Sequence, residues 1–131
     1  MRFSLLALLI FTTLTGGCLA WIMGPSRARG ALPWNASEIN EHYDGIASDF
    51  IRLLRAKINE DDFDAYADEL GLTEYNSITP HPNLCWPGCP EPWWDPPSSM
   101  QSVRYEPIER EDYSVMAAYN DGYVYFAVTS W

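Results

Sequence analysis

Residues 3–23 carry no charge. Arg2 stands in front of them and Arg27 and Arg29 behind, and the stretch between, Phe3 to Met23, is dominated by Leu, Ile, Phe, Ala, Gly and Thr. A helix of that length rises about 30 Å, the thickness of a bilayer's hydrocarbon core. The segment also has the build of a secretory signal, with a short basic start and the apolar run Leu5 to Leu14. Residues 1–24 therefore read as a membrane anchor or signal segment, and three fates are open to them. Cleavage after Ala20 calls for small residues at the −3 and −1 positions, which Cys18 and Ala20 half satisfy. Lipidation of Cys18 would use Leu14-Thr15-Gly16-Gly17-Cys18, which resembles a bacterial lipobox with Thr where Leu usually stands. Retention as a single-pass anchor, helical from about Leu5 to Ile22, is the expectation. Gly24-Pro25 and the two arginines stop it, and Trp21 sits where amphipathic aromatics prefer the interface. Arg2 with the terminal amine nearly balances Arg27 with Arg29, so the positive-inside rule is close to neutral. The short N-terminal tail then favours a domain outside the cytoplasm.

Charge excludes one class of partner. Arg2, Arg27 and Arg29 take three of the eight basic residues, which leaves five against eighteen acids from Gly30 onward, a net charge of −13. A field of that sign repels phosphate backbones, so nucleic acid is not an expected partner. About one hundred residues suffice for a modest core. Residues 25–34 read as a linker, broken by Gly30 and Pro33, and residues 35–131 as the domain. From residue 30 onward the chain is expected to fold without the anchor.

Inside the domain two elements are legible. Phe63, Tyr66, Ala67 and Leu70 follow the i, i+3, i+4, i+7 spacing of one buried helical stripe. Asn59 is a reasonable N-cap, Glu60, Asp61 and Asp62 match the helix dipole, and Gly71 followed by Leu72 suits a C-cap. Near the C-terminus, Tyr113 to Tyr119 and Tyr123 to Ser130 flank Asn120-Asp121-Gly122, a strong hairpin signal. A type I′ turn at Asp121-Gly122 pairs Tyr119 with Val124, Ala117 with Phe126 and Val115 with Val128, on the face expected to meet the helix. The other face, with Ser114, Met116, Tyr123, Tyr125 and Thr129, is half polar. Ser102 to Ile108 reads as a further strand. Glu38 to Ile58 admits one long helix or two strands; Asp44-Gly45 and the run Phe50 to Ile58 favour strands at Glu38 to Tyr43 and Phe50 to Ile58. Residues 80–97 hold seven prolines in eighteen positions and cannot be helix or sheet interior.

Several of these segments share a pattern. Arg2-Phe3-Ser4-Leu5 before an apolar anchor, Leu32-Pro33, Ala36-Ser37-Glu38-Ile39, Leu53 to Ile58, Asp62-Phe63, Leu70-Gly71-Leu72, Trp94-Asp95-Pro96-Pro97 and Asn120-Asp121-Gly122-Tyr123 carry it. The pattern resembles small membrane-anchored proteins of planctomycete-type bacteria. The resemblance implies a strand–strand–helix–strands order and no known activity. The expected fold is thus α+β: a transmembrane or signal-anchor helix, then a small antiparallel sheet with one amphipathic helix on one face.

Few residues offer chemistry. Cys85-Trp86-Pro87-Gly88-Cys89 places two thiols in a Pro-Gly turn, and outside the cytoplasm such a pair is most often a disulfide. His81 with Cys85 and Cys89, and with His42 as a further candidate, could form a metal site. The local motif supplies at most three ligands, whereas a closed zinc site takes four. The acids Glu60, Asp61, Asp62, Asp64, Asp68 and Glu69 read as a solvated helix face; Glu109, Glu111 and Asp112 read as a charged turn. No calcium loop or nucleophile elbow is present, and no metal or other cofactor is expected. Trp86, Trp93 and Trp94 either pack onto the sheet's second face or form an exposed patch for a protein or carbohydrate partner. The resulting expectation is a non-enzymatic, membrane-tethered, extracytoplasmic binding module. The alternative is a thiol- or metal-dependent periplasmic accessory protein using Cys85, Cys89 and His81.

Overall fold

The computed structural model describes residues 10, 12–15, 26–46, 49–74, 85–98, 103–107 and 113–130. Ile10 and residues 12–15 have helical backbone, while the rest of the expected anchor helix, with Cys18 and Trp21, lies outside the described residues. Among the described residues no helix is long and apolar enough to cross a membrane.

The elements in chain order are α1 (Arg27–Gly30), β1 (Ser37–Ile46), β2 (Asp49–Lys57), a 3₁₀ turn (Glu60–Asp62), α2 (Phe63–Glu69), β3 (Thr73–Glu74), β4 (Arg104–Tyr105), β5 (Tyr113–Asn120) and β6 (Tyr123–Ser130). The strands form one antiparallel sheet in the order β1-β2-β6-β5-β4-β3. The C-terminal hairpin has the register its turn dictates. Asp121 and Gly122 both take positive φ, +50° and +86°, and Tyr119, Ala117 and Val115 face Val124, Phe126 and Val128. Glu38 to Ile58 is a second hairpin rather than a long helix. Asp44 and Gly45, read as a turn, lie within β1, and the connection is residues 47 and 48, outside the described residues. The strand expected over Ser102 to Ile108 is two residues long; Val103 before it is buried, and residues 102 and 108 are not described.

β2 and β6 sit inside the sheet, and both of their faces are covered, so Leu53 and Leu54 are each fully buried on opposite sides. On one face α2 lays Phe63, Tyr66, Ala67 and Leu70 against Leu54, Ala56, Val115, Ala117, Phe126 and Val128. Each large side chain so buried contributes about 1.5–3 kcal/mol. α2 ends in a Schellman cap: Gly71 (φ +73°) donates from its amide to Asp68, and Leu72 donates to Ala67. At the other end the expected Asn59 side-chain cap is not made. The Asn59 amide donates to Asp62 Oδ2 instead, and its carbonyl accepts from the Asp62 amide, closing the 3₁₀ turn.

Tyr66 is only 1% exposed, and its hydroxyl has no hydrogen-bond partner among the described residues; burial, aided by the charge of Glu41, pushes its pKa up. A buried hydroxyl left unpaired costs about 1–3 kcal/mol. Tyr66→Phe is therefore expected to stabilise the fold by about 1 kcal/mol in urea denaturation. A loss of stability would mean that the hydroxyl is paired.

The segment read as a linker is docked on the domain. Ser26 caps α1 by accepting from the Arg29 amide, Ala28 is 2% exposed within the core, and Ala31 and Leu32 pack beside it. Arg27 Nη2 donates to the carbonyls of Leu70 (3.1 Å) and Glu69 (3.5 Å), where a helix C-terminus favours a cation. A boundary at residue 30 would thus remove two residues that hold α2 in place. Short apolar residues between two arginines carry too little periodicity to reveal this in the sequence.

Candidate functional site

The second face of the sheet is covered by residues 85–98, which have no regular structure. Proline excludes them from a ladder, so side chains hold them instead. Trp94 is 9% exposed and meets Trp86, Trp93 and Tyr125 edge to face at ring-centroid distances of 5.8, 5.9 and 5.9 Å. Its Nε1 donates to the Pro87 carbonyl at 3.0 Å, and Arg55 Nη1 donates to the Trp93 carbonyl at 2.9 Å. The Arg55 guanidinium lies 3.9 Å from the centroid of Tyr123. The polar pair on this face satisfies itself, Ser114 Oγ and Thr129 Oγ1 being 2.9 Å apart. Of the three tryptophans named as partner-binding candidates, Trp94 is therefore a core residue, and Trp86 and Trp93 are half-buried beside it.

Cys85 and Cys89 stand unbridged, Cys85 exposed and Cys89 half-buried against the tryptophan cluster. The Trp94 contacts hold this loop against the sheet. His81 lies outside the described residues, and His42 is turned to Glu91, with Nδ1 3.5 Å from Oε1. Among the described residues no three His, Cys, Asp or Glu side chains cluster as a metal site. The helix acids remain on the solvent side; Arg104 joins Asp64 (2.9 Å) and Glu74 (3.1 Å), tying α2 and β3 to β4.

Exposed apolar side chains gather elsewhere, along β1. This strand pairs only with β2, so its outer edge has no strand partner among the described residues. Trp34, just before it, is 97% exposed, Ile46 at its end is 86% exposed, and Ile39 and Tyr43 between them are also open. A bulge at Glu38 (φ +48°) shifts the register between Ser37 and Asn40. The Glu38 carboxylate accepts from Tyr123 Oη (2.6 Å) and Lys57 Nζ (3.2 Å), which hold its pKa below the ordinary 4.5. With a lowered folded value, the stability these bonds add is present above pH 4.5 and is lost as pH falls through that lowered value. Glu41 faces Arg29 at 3.9 Å, whereas Asp44 and Asp49 at the hairpin tip join no ion pair among the described residues. The exposure of β1 was not legible in the sequence, because Ile39, Tyr43 and Ile46 look like core residues until the sheet order makes their strand an edge.

On the helix side of the sheet, a cleft of about 300 Å³ opens between α1, the end of α2 and strands β1, β2, β5 and β6. Its walls are largely apolar, with Phe50, Tyr113, Val115 and Phe126 among them, and its charged groups are Arg27, Arg52 and Glu106. Arg52 lies over the Tyr43 ring, 5.1 Å from its centroid, and its Nε is buried without a hydrogen-bond partner among the described residues. Comparison with family models, curated proteins and solved structures finds no match.

Proposed function

We propose that the chain is a membrane-tethered, extracytoplasmic and non-enzymatic binding module that captures an extended basic segment of another protein along β1. The observation that carries this reading is the open edge of a ten-residue strand whose flank and tip expose Trp34, Tyr43 and Ile46. An unpaired edge is a template for strand addition, in which backbone hydrogen bonds give affinity and alternate side chains give choice of partner. Charge selects the partner. Asp44 and Asp49 flank the exposed tip of a domain with a net charge of −13, so a second copy of the chain is repelled and a basic strand attracted. The uncharged stretch Phe3 to Met23 supplies the membrane attachment.

The test uses the full chain in neutral detergent and a dye-labelled ten-residue peptide alternating lysine with threonine. Fluorescence anisotropy is expected to report saturable binding that weakens with added salt. The same peptide with glutamate for lysine should not bind. Asp44→Lys should weaken the basic peptide about fivefold, the equivalent of ~1 kcal/mol for one exposed pair. Equal binding of the two peptides, no binding of either, or an unchanged affinity in Asp44→Lys would refute the reading.

A further inference from the structure

The helix-side cleft contains a cation that its surroundings leave short of a partner. Arg27, at the mouth, already donates to two carbonyls at the end of α2. Arg52 is different: it is half-buried, its guanidinium lies over the Tyr43 ring at 5.1 Å from the centroid, it joins no ion pair among the described residues, and it keeps a buried, unpaired Nε. A guanidinium holds its N–H donors in its own plane as a fixed fork, which suits the two parallel bonds of a carboxylate. Behind it the wall is aromatic and aliphatic, from Phe50, Tyr113, Phe126 and Val128. Small-ligand sites commonly combine such an apolar body with one or two placed polar groups, and about 300 Å³ lies at the small end of their range.

We propose that this cleft binds a small monocarboxylate with an apolar, preferably aromatic, tail: the carboxylate on Arg52 and the tail on Phe50, Tyr113 and Phe126. Two arginines against one acid leave the cleft locally positive in a domain that is otherwise strongly negative. Glu106 sets the limit on charge. A monoanion gains from Arg52 and Arg27 together, whereas a dianion such as a phosphate monoester must overcome a much larger hydration cost to enter an apolar-walled cleft whose two arginines are offset by Glu106. An uncharged ligand of the same shape brings no charge to pair with the Arg52 guanidinium, so discrimination should rest on that one side chain.

The experiment is equilibrium dialysis of the full chain in neutral detergent, with detergent alone subtracted, against 4-phenylbutyrate, 4-phenylbutanol and 4-phenylbutylamine. The acid is expected to bind with a Kd of about 1 mM or tighter, and the alcohol and amine at least about tenfold more weakly. Arg52→Gln should abolish the preference for the acid while leaving the alcohol's weak binding unchanged, and Arg52→Lys should fall between the two. The wild-type comparison stands without any variant. Comparable binding of all three compounds, no binding of the acid, or an acid preference that survives in Arg52→Gln would overturn the proposal.

Discussion

Trp94→Ala is expected to cost about 3–5 kcal/mol, the range for removing a buried large aromatic side chain. A domain of this size has roughly 5–15 kcal/mol in total, so the variant should stand close to its unfolding threshold. The expectation follows from the position of the ring. It touches Trp86, Trp93 and Tyr125 at once, and its Nε1 fixes the loop at Pro87. Each edge-to-face pair adds about 0.5–1.5 kcal/mol beyond the area it buries. Without the indole, the loop has no backbone ladder to fall back on, and Leu53, Met116 and Ala127 beneath it lose their cover. Trp94→Phe keeps a ring but loses the bond to Pro87, and should cost less, about 1–2 kcal/mol. Urea denaturation of the full chain in neutral detergent measures both. A loss below 1 kcal/mol for the alanine variant would show that the loop does not cover the sheet.

Gly45→Ala should cost about 3 kcal/mol, an unusual penalty for one methyl group on an exposed strand. Gly45 has φ +141°, where side chains are rarely found, and a Cβ there would run into the Asp49 carbonyl and the Phe50 backbone. The hairpin can relieve this only by parting Gly45 from Phe50 across the ladder. Tyr43 and Phe50, whose rings lie 6.0 Å apart, would move with it, and so would one wall of the cleft. The lowered stability of this variant should therefore be accompanied by loss of 4-phenylbutyrate binding under conditions where the chain stays folded. Wild-type stability in Gly45→Ala would mean that the tip of β1 adopts a different backbone.

The elements that could be read from the sequence are those set by local rules. Asp121-Gly122 fixes a turn, the turn fixes a register, and the register assigns Val115, Ala117 and Tyr119 to one face without reference to anything distant. Phe63, Tyr66, Ala67 and Leu70 likewise need only a helical period. Features that depend on sheet order could not be read this way. Arg52 and Tyr43 meet only because β1 pairs with β2 in a particular register, and that pairing also turns Ile46 outward. Trp94 gave no local signal for its burial, since a tryptophan among prolines suits a surface patch as well as a lid. Ala28 was hidden for a related reason: a residue that small becomes visible as core only when its neighbours in space are known.

The docking of α1 changes what kind of joint stands between the domain and whatever precedes Ser26. A flexible tether lets a domain wander and rotate, and dissipates any pull on it. Here the chain enters through a capped turn buried at Ala28 and fastened by Arg27 to the end of α2. That is a bracket, with a fixed angle and little play. Tension or tilt on the preceding segment would act as a torque on α2 and, through the core that α2 shares with the sheet, on the floor of the cleft. The edge of β1 would then hold a set bearing relative to Ser26, the point where the chain enters the domain.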